Sequence, residues 1–191
     1  MRHRIFIAIN LPDNIKKKLE DCQSKWPELP IKWTKKENLH VTLIFIGYIP
    51  GQELLEICKI ARETAYKNQS FSVNLNKICY GPHKKILPSS PIDSRAPRMV
   101  WVEGKKSQEF TKLQIDLEKS LMVSENRVFS PHITLGRIRT WEFEKIEPEE
   151  IPQVNEEINL SFEVNSIEIM ESELKKGGPV YTILESCMLK N

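Results

Sequence analysis

Core packing gives a chain no reason to repeat a polar pair on one face of a strand, yet this chain does so. Asn38-Leu39-His40-Val41-Thr42-Leu43 is echoed by Ser130-Pro131-His132-Ile133-Thr134-Leu135, 132 − 40 = 92 residues later. Each copy reads His-x-Thr with a branched apolar residue between the polar ones, inside an apolar run that suits a strand. On a strand, residues i and i+2 share a face. His40 and Thr42 therefore point one way, while Val41 and Leu43 point the other, into a core. His132 and Thr134 repeat the pattern against Ile133 and Leu135. Any fold for this chain must hold two such strands, each with an imidazole beside a hydroxyl on one face.

A single His-x-Thr on a strand is more often structural than catalytic, and Thr is favoured in strands on other grounds. Acid–base chemistry supplies the reason for duplication, because it needs a proton donor and a proton acceptor on opposite sides of one substrate. Two imidazoles, each with a hydroxyl beside it, suit a phosphoryl group. The other two histidines lie elsewhere: His3 in the basic start Met1-Arg2-His3-Arg4, and His83 in the turn-rich Gly81-Pro82-His83-Lys84-Lys85. Both are expected at the surface. No C-x-x-C, H-x-x-x-H or H-E-x-x-H occurs, so neither a metal site nor a cofactor is expected.

A net charge of +2 is too small for a general nucleic-acid coat, so any binding of a polyanion must come from local clusters. Candidates are Lys32, Lys35 and Lys36 before the first motif, Lys84, Lys85, Arg95 and Arg98 in mid-chain, and Arg137 and Arg139 after the second motif. The alternation Arg137-x-Arg139 extends the strand of His132 and Thr134 and is assigned to their face. The four cysteines (Cys22, Cys58, Cys79, Cys187) have no paired spacing and fit reduced, mostly buried thiols of a cytoplasmic protein. No signal peptide and no run of 18 apolar residues is present, so no membrane span is expected.

Periodicity gives strands over 4–10, 39–49, 71–80, 98–103, 131–139, 160–171 and 180–188, and a short extended piece at 31–34. Helices are expected from Pro12 to Trp26 through Ile15, Leu19 and Cys22, over 52–66, and over 107–123 through Phe110, Leu113, Leu117 and Leu121. The segment 81–97, with four prolines, is a loop, and 141–157 is a polar connection. Many strands with few helices indicate α+β with antiparallel sheet.

These residues resemble the 2H phosphoesterases, in the branch of the RNA 2′,3′-cyclic phosphodiesterases, also called 2′-5′ RNA ligases. The resemblance is carried by Ile5-Phe6-Ile7-Ala8-Ile9-Asn10-Leu11-Pro12, by Trp33 with the first motif, Phe45 and Gly47, and by Pro97-Arg98-Met99-Val100-Trp101. Phe129-Ser130-Pro131-His132-Ile133-Thr134-Leu135-Gly136-Arg137 and the closing Tyr181-Thr182 complete it. One departure is the loop 81–97, longer than the family's basic turn. The resemblance implies a single two-lobed domain over 1–191, with two pseudo-symmetric lobes of antiparallel sheet and helix around a central cleft.

It also implies metal-independent hydrolysis of RNA 2′,3′-cyclic phosphate ends to 2′-phosphomonoesters, with reverse 2′-5′ ligation as a secondary reaction. His40 is then the proton donor, His132 the acceptor, and Thr42 and Thr134 hold the phosphate. The two motifs are chemically equivalent, so the residues alone do not order the histidines. Arg137, Arg98, Phe45 and Phe129 are weaker candidates for contacts to substrate. The expected partner is an RNA or nucleotide ending in a 2′,3′-cyclic phosphate, met by a monomer without a cofactor. The alternatives are a non-catalytic nucleotide- or RNA-binding module, which would be expected to lack a motif residue, and a phosphodiesterase for 2′-5′ oligonucleotides or another cyclic phosphate.

Overall fold

The computed structural model describes residues 2–82, 97–123 and 130–191. Nine strands form one antiparallel sheet: β1 (Arg2–Asn10), β2 (Ile31–Trp33), β3 (His40–Pro50), β4 (Phe71–Gly81), β5 (Met99–Gly104), β6 (His132–Ile138), β7 (Asn155–Val164), β8 (Ser166–Lys175) and β9 (Gly178–Met188). Their order is β7-β4-β5-β6-β3-β1-β8-β9, with β2 paired to β6. Among the described residues four helices accompany them: α1 (Asp13–Gln23), α2 (Leu54–Tyr66), α3 (Gln108–Leu121) and the one-turn α4 (Thr140–Phe143). The α+β class with antiparallel sheet is as expected.

The sheet consists of two matching halves. Running outward from the middle, β6-β5-β4-β7 mirrors β3-β1-β8-β9, and the halves meet at one antiparallel pair, Val41 opposite Ile133. Those are the residues between His and Thr in the two motifs. An antiparallel pair has local two-fold symmetry, so the pseudo-axis of the fold passes between the two copies of the repeated phrase. Beyond this point β3 and β6 part, and β2 takes up the later half of β6 through Trp33 opposite Gly136 and Ile31 opposite Ile138. A Cβ on Gly136 would stand 2.4 Å from Ile31 Cγ2 and 2.8 Å from Trp33 Cε3, so only glycine lets β2 approach there.

One face of the sheet buries the core. Val41, Leu43, Ile133, Leu135, Val100, Val102, Ile5, Ile7 and Ile9 pack in one cluster with Ile15 and Leu19 of α1, Ala61 and Ala65 of α2, and Phe110, Leu113 and Leu117 of α3. At about 25 cal/mol per Å² of apolar surface, each large side chain so buried contributes roughly 1.5–3 kcal/mol. α3 is started by Ser107, whose Oγ accepts from the Phe110 N–H at 3.0 Å. It ends at Met122, in the left-handed region at φ 53°.

Three boundaries differ from the sequence reading. The first helix stops at Gln23 rather than at Trp26. The chain turns at Ser24, and Trp26 folds back into the core with its Nε1–H donating to the Gln153 carbonyl at 3.2 Å. The stretch 160–171 is two strands, β7 and β8, which turn at Asn165 to pair with β4 and β1 respectively, on opposite halves of the sheet. β7 also begins at Asn155, inside the stretch taken as a polar connection. It is an edge strand with alternate positions exposed, and Glu157 and Glu163 occupy two of them. The cysteines are free thiols, with Cys58, Cys79 and Cys187 buried and Cys22 half-buried. No helix among the described residues is long and apolar enough to cross a membrane.

Candidate active site

The two motif strands follow the same order of burial. From His40 to Phe45 and from His132 to Arg137 the residues run half-buried, buried, half-buried, buried, buried, exposed. The two consecutive buried residues mark a β-bulge in each strand. Thr42 pairs with Ala8 and Ile44 with Ile7, leaving Leu43 extra; Thr134 pairs with Trp101 and Gly136 with Val100, leaving Leu135 extra. A bulge inverts the alternation that follows it. Strict alternation from Thr134 would have sent Arg137 to the core face, and the Leu135 bulge returns it to the face of His132 and Thr134. Leu43 does the same for Phe45. The expectation that Arg137 shares the motif face holds, through a bulge that the alternation did not reveal.

Antiparallel pairing about Val41 and Ile133 sets His40 across from Thr134 and Thr42 across from His132. The four polar groups thus form a compact quadrilateral on the face opposite the helices. Both imidazoles are held alike. His40 Nδ1–H donates to the Asn38 carbonyl at 2.7 Å, and His132 Nδ1–H donates to the Ser130 carbonyl at 2.8 Å. A carbonyl only accepts, so Nδ1 carries the proton in each ring. Nε2 is then the nitrogen that exchanges protons with a substrate. In the neutral His40 ring Nε2 accepts from the Thr42 hydroxyl at 2.9 Å.

The surroundings of the two rings differ. His40 lies among Phe6 (centroids 5.1 Å apart) and Tyr181 (5.2 Å, edge-on at 87°). Its anchor Asn38 is buried, and Asn38 Nδ2 donates to the Pro179 carbonyl at 2.9 Å, tying the first motif to the β8–β9 hairpin. The buried ammonium of Lys16 donates to the neighbouring Glu37 carbonyl at 3.2 Å. Burial pushes the His40 imidazole down from 6.5 to about 4, opposed by the Asn38 carbonyl and reinforced by the charges of Lys16 and His132. His132 instead stacks face to face on Trp101, with centroids 3.9 Å apart and planes at 23°.

Beyond Thr134, the Met99 sulfur accepts from the Thr134 hydroxyl at 3.9 Å and from Arg137 Nη1 at 3.5 Å. Arg137 forms no ion pair with a carboxylate among the described residues, whereas Arg139 is paired with Glu142 at 3.3 Å. Lys32 stands directly opposite Arg137 on β2 and adds a second cation to that end of the face. Lys36 is paired with Asp13 at 2.8 Å. Arg98 is exposed and lies just before β5. Phe129, His83, Lys84, Lys85 and Arg95 lie outside the described residues. Among the described residues no three His, Cys, Asp or Glu side chains converge as a metal cluster.

A family described as LigT like Phosphoesterase matches this chain over residues 9–92 and 100–181. The chain belongs to the LigT-like phosphoesterases. Proteins similar to the chain include RNA 2′,3′-cyclic phosphodiesterases from Methanocaldococcus jannaschii and Thermotoga maritima. The first is 25% identical, over 95% of this chain and 98% of its own length. The second is 26% identical, over 98% and 96%. Among solved structures, TT0787 of Thermus thermophilus superposes with a TM-score of 0.80 at 26% identity, covering 98% of both chains. E. coli LigT complexed with 3′-AMP superposes at 0.76 and 24% identity over the full length of both, a likeness of fold.

The sequence reading did not single out Phe6, Tyr181, Met99 and Trp101 as parts of the site, although all four fell in segments that carried the resemblance. A signal for two of them was available. Met99 and Trp101 alternate with Val100 and Val102, so one face of that strand had to be something other than core.

Proposed function

We propose that this phosphoesterase hydrolyses RNA 2′,3′-cyclic phosphate ends to 2′-phosphomonoesters, with His40 as proton donor and His132 as proton acceptor. The observation that carries the reading is the Val41–Ile133 pair, which sets two identically anchored imidazoles and two threonine hydroxyls around one point. A water attacks phosphorus while His132 Nε2 takes its proton. The P–O3′ bond breaks, and the departing O3′ takes the proton from His40 Nε2–H. Each transfer is worth about 10²–10⁴ in rate. Thr42 and Thr134 donate to the non-bridging oxygens, at roughly 1.5–3 kcal/mol for each charge-assisted bond. Arg137 adds positive charge, and Phe45 offers an exposed aromatic face for a base.

The depressed His40 value bears on this scheme. At neutral pH the ring rests uncharged, so the donor has to acquire its proton together with the substrate. The phosphodiester supplies the cause, because a negative charge beside the ring raises its pKa. The test is product analysis on a 2′,3′-cyclic mononucleotide and on an RNA with a 2′,3′-cyclic end, by chromatography against 2′- and 3′-phosphate standards. The 2′-phosphate is expected. A 3′-phosphate product would reverse the roles of the two histidines, and no turnover of either compound would refute the reading.

A further inference from the structure

We infer that Trp101 is a positioning residue for His132, acting as a rigid plate that fixes the imidazole plane and stabilises the ring as it gains charge. The inference rests on the reading of His132 as proton acceptor. The indole has a seat made for it. A Cβ built on Gly81 would stand 2.2 Å from Trp101 Cδ2, 2.5 Å from Cε3 and 2.6 Å from Cγ, so the ring fills the space that any other residue at position 81 would occupy. His132 stacks on the indole at 3.9 Å and 23°. Three strands side by side therefore build one stack: Gly81 at the end of β4, Trp101 on β5 and His132 at the start of β6.

Two restraints on His132 follow. The Ser130 carbonyl fixes Nδ1, which alone would still let the ring tilt about that hydrogen bond. The indole removes the tilt and leaves Nε2 a single direction. The plate also acts electrostatically. A general base becomes an imidazolium as it works, and the π face of Trp attracts a cation lying over it. The stabilisation grows as the proton is transferred, so it favours the transition state over the ground state. The ring is what the site uses. Trp101 Nε1–H is buried and finds no hydrogen-bond partner among the described residues, so an aromatic ring without that group should serve as well.

Among the described residues no ring stacks face to face on His40, whose neighbours Phe6 and Tyr181 are tilted and edge-on. Ala8 holds the place in β1, opposite Thr42, that Trp101 holds in β5 opposite Thr134. The two motif histidines thus share a backbone and differ in support.

The experiment compares the full chain with Trp101→Phe, Trp101→Leu and Gly81→Ala. It reads the His132 ring protons and their titration by NMR, and kcat and KM against pH on a 2′,3′-cyclic mononucleotide. In the wild type the His132 ring protons should sit upfield under the indole ring current. Trp101→Leu should remove that displacement and lower the His132 pKa by about half to one unit. It should also cut kcat by about tenfold or more with KM within about twofold, and move the acidic limb of the rate profile down by the same interval as the pKa. Trp101→Phe should restore kcat to within about threefold. Gly81→Ala, which keeps the tryptophan but takes its seat, should reproduce the Trp101→Leu profile. An unshifted His132 in the wild type would overturn the inference whether or not any variant folds, as would a folded Trp101→Leu with an unchanged pKa and kcat, or one that loses activity through KM alone. If the wild type turned over no cyclic phosphate, the proposed function would fall, and the NMR comparison would still decide the plate.

Discussion

Lowering the pH should cost this protein stability through His40, by an amount the structure allows to be worked out. Burial holds the folded-state imidazole near 4, against 6.5 for an ordinary histidine. Above pH 6.5 neither state binds the proton and His40 adds no pH dependence. Between 6.5 and 4 the unfolded chain takes up a proton that the folded chain refuses, so stability falls as the pH falls. Over that window of roughly 2.5 units the loss comes to about 3 kcal/mol, at 1.36 kcal/mol per unit. By pH 4.5 roughly 2.5 kcal/mol of it has gone, out of the 5–15 kcal/mol typical of a domain.

The perturbation that isolates this term is His40→Asn. The Asn amide reaches the position of Nδ1 and can still donate to the Asn38 carbonyl, but it does not titrate. Urea unfolding of wild type and variant at pH 7.5 and 4.5 gives four stabilities, and their double difference removes the carboxylates that titrate in both proteins. The variant should lose about 2–2.5 kcal/mol less than the wild type between the two pH values. Equal losses, or an NMR titration that puts the His40 midpoint near 6.5, would refute the reasoning.

Three other expectations can be checked by standard kinetics. His40→Ala and His132→Ala should each lower kcat by about a hundredfold or more with unchanged circular dichroism, while Thr42→Val and Thr134→Val should cost about ten- to a hundredfold, the worth of one charge-assisted bond. Because protein groups move both protons in the proposed scheme, turnover should survive excess EDTA; complete loss, restored by a divalent ion, would contradict the scheme. Arg137→Ala should raise KM severalfold, and by less as salt is added, since Arg137 lies on the motif face.

What the sequence made legible was what alternation controls. His40, Thr42, His132 and Thr134 lie on one face because period two holds from His to Thr in each motif. It fails one residue later, at Leu43 and Leu135, where a bulge depends on the neighbouring strand and leaves no mark in a single strand's pattern. The splitting of 160–171 was hidden for a related reason. β7 and β8 are both strand-like, and only their pairing with opposite halves of the sheet requires the turn at Asn165. The face of Trp101 was legible from its alternation with Val100 and Val102, but its stack across three strands exists only once β4, β5 and β6 are adjacent.

A symmetric pair of motifs is a poor acid–base couple until something distinguishes its members, since one must begin with a proton and the other without. The backbone here makes the members equal, with the same strand, the same bulge and the same carbonyl two residues back. The distinction comes from what surrounds each ring. His40 is packed against Phe6 and Tyr181, and burial, helped by the charge of Lys16, drives its resting pKa down. That enclosure has a second consequence on the proposed assignment. Charges interact more strongly where water is excluded, so a ring depressed by burial also responds strongly to an arriving anion. A phosphodiester bound beside His40 therefore shifts that imidazole upward by more than it shifts a better-solvated one. The donor is then charged when there is an oxygen to protonate and neutral otherwise, so burial, which at first sight makes His40 the wrong residue for an acid, ties its acidity to the presence of substrate.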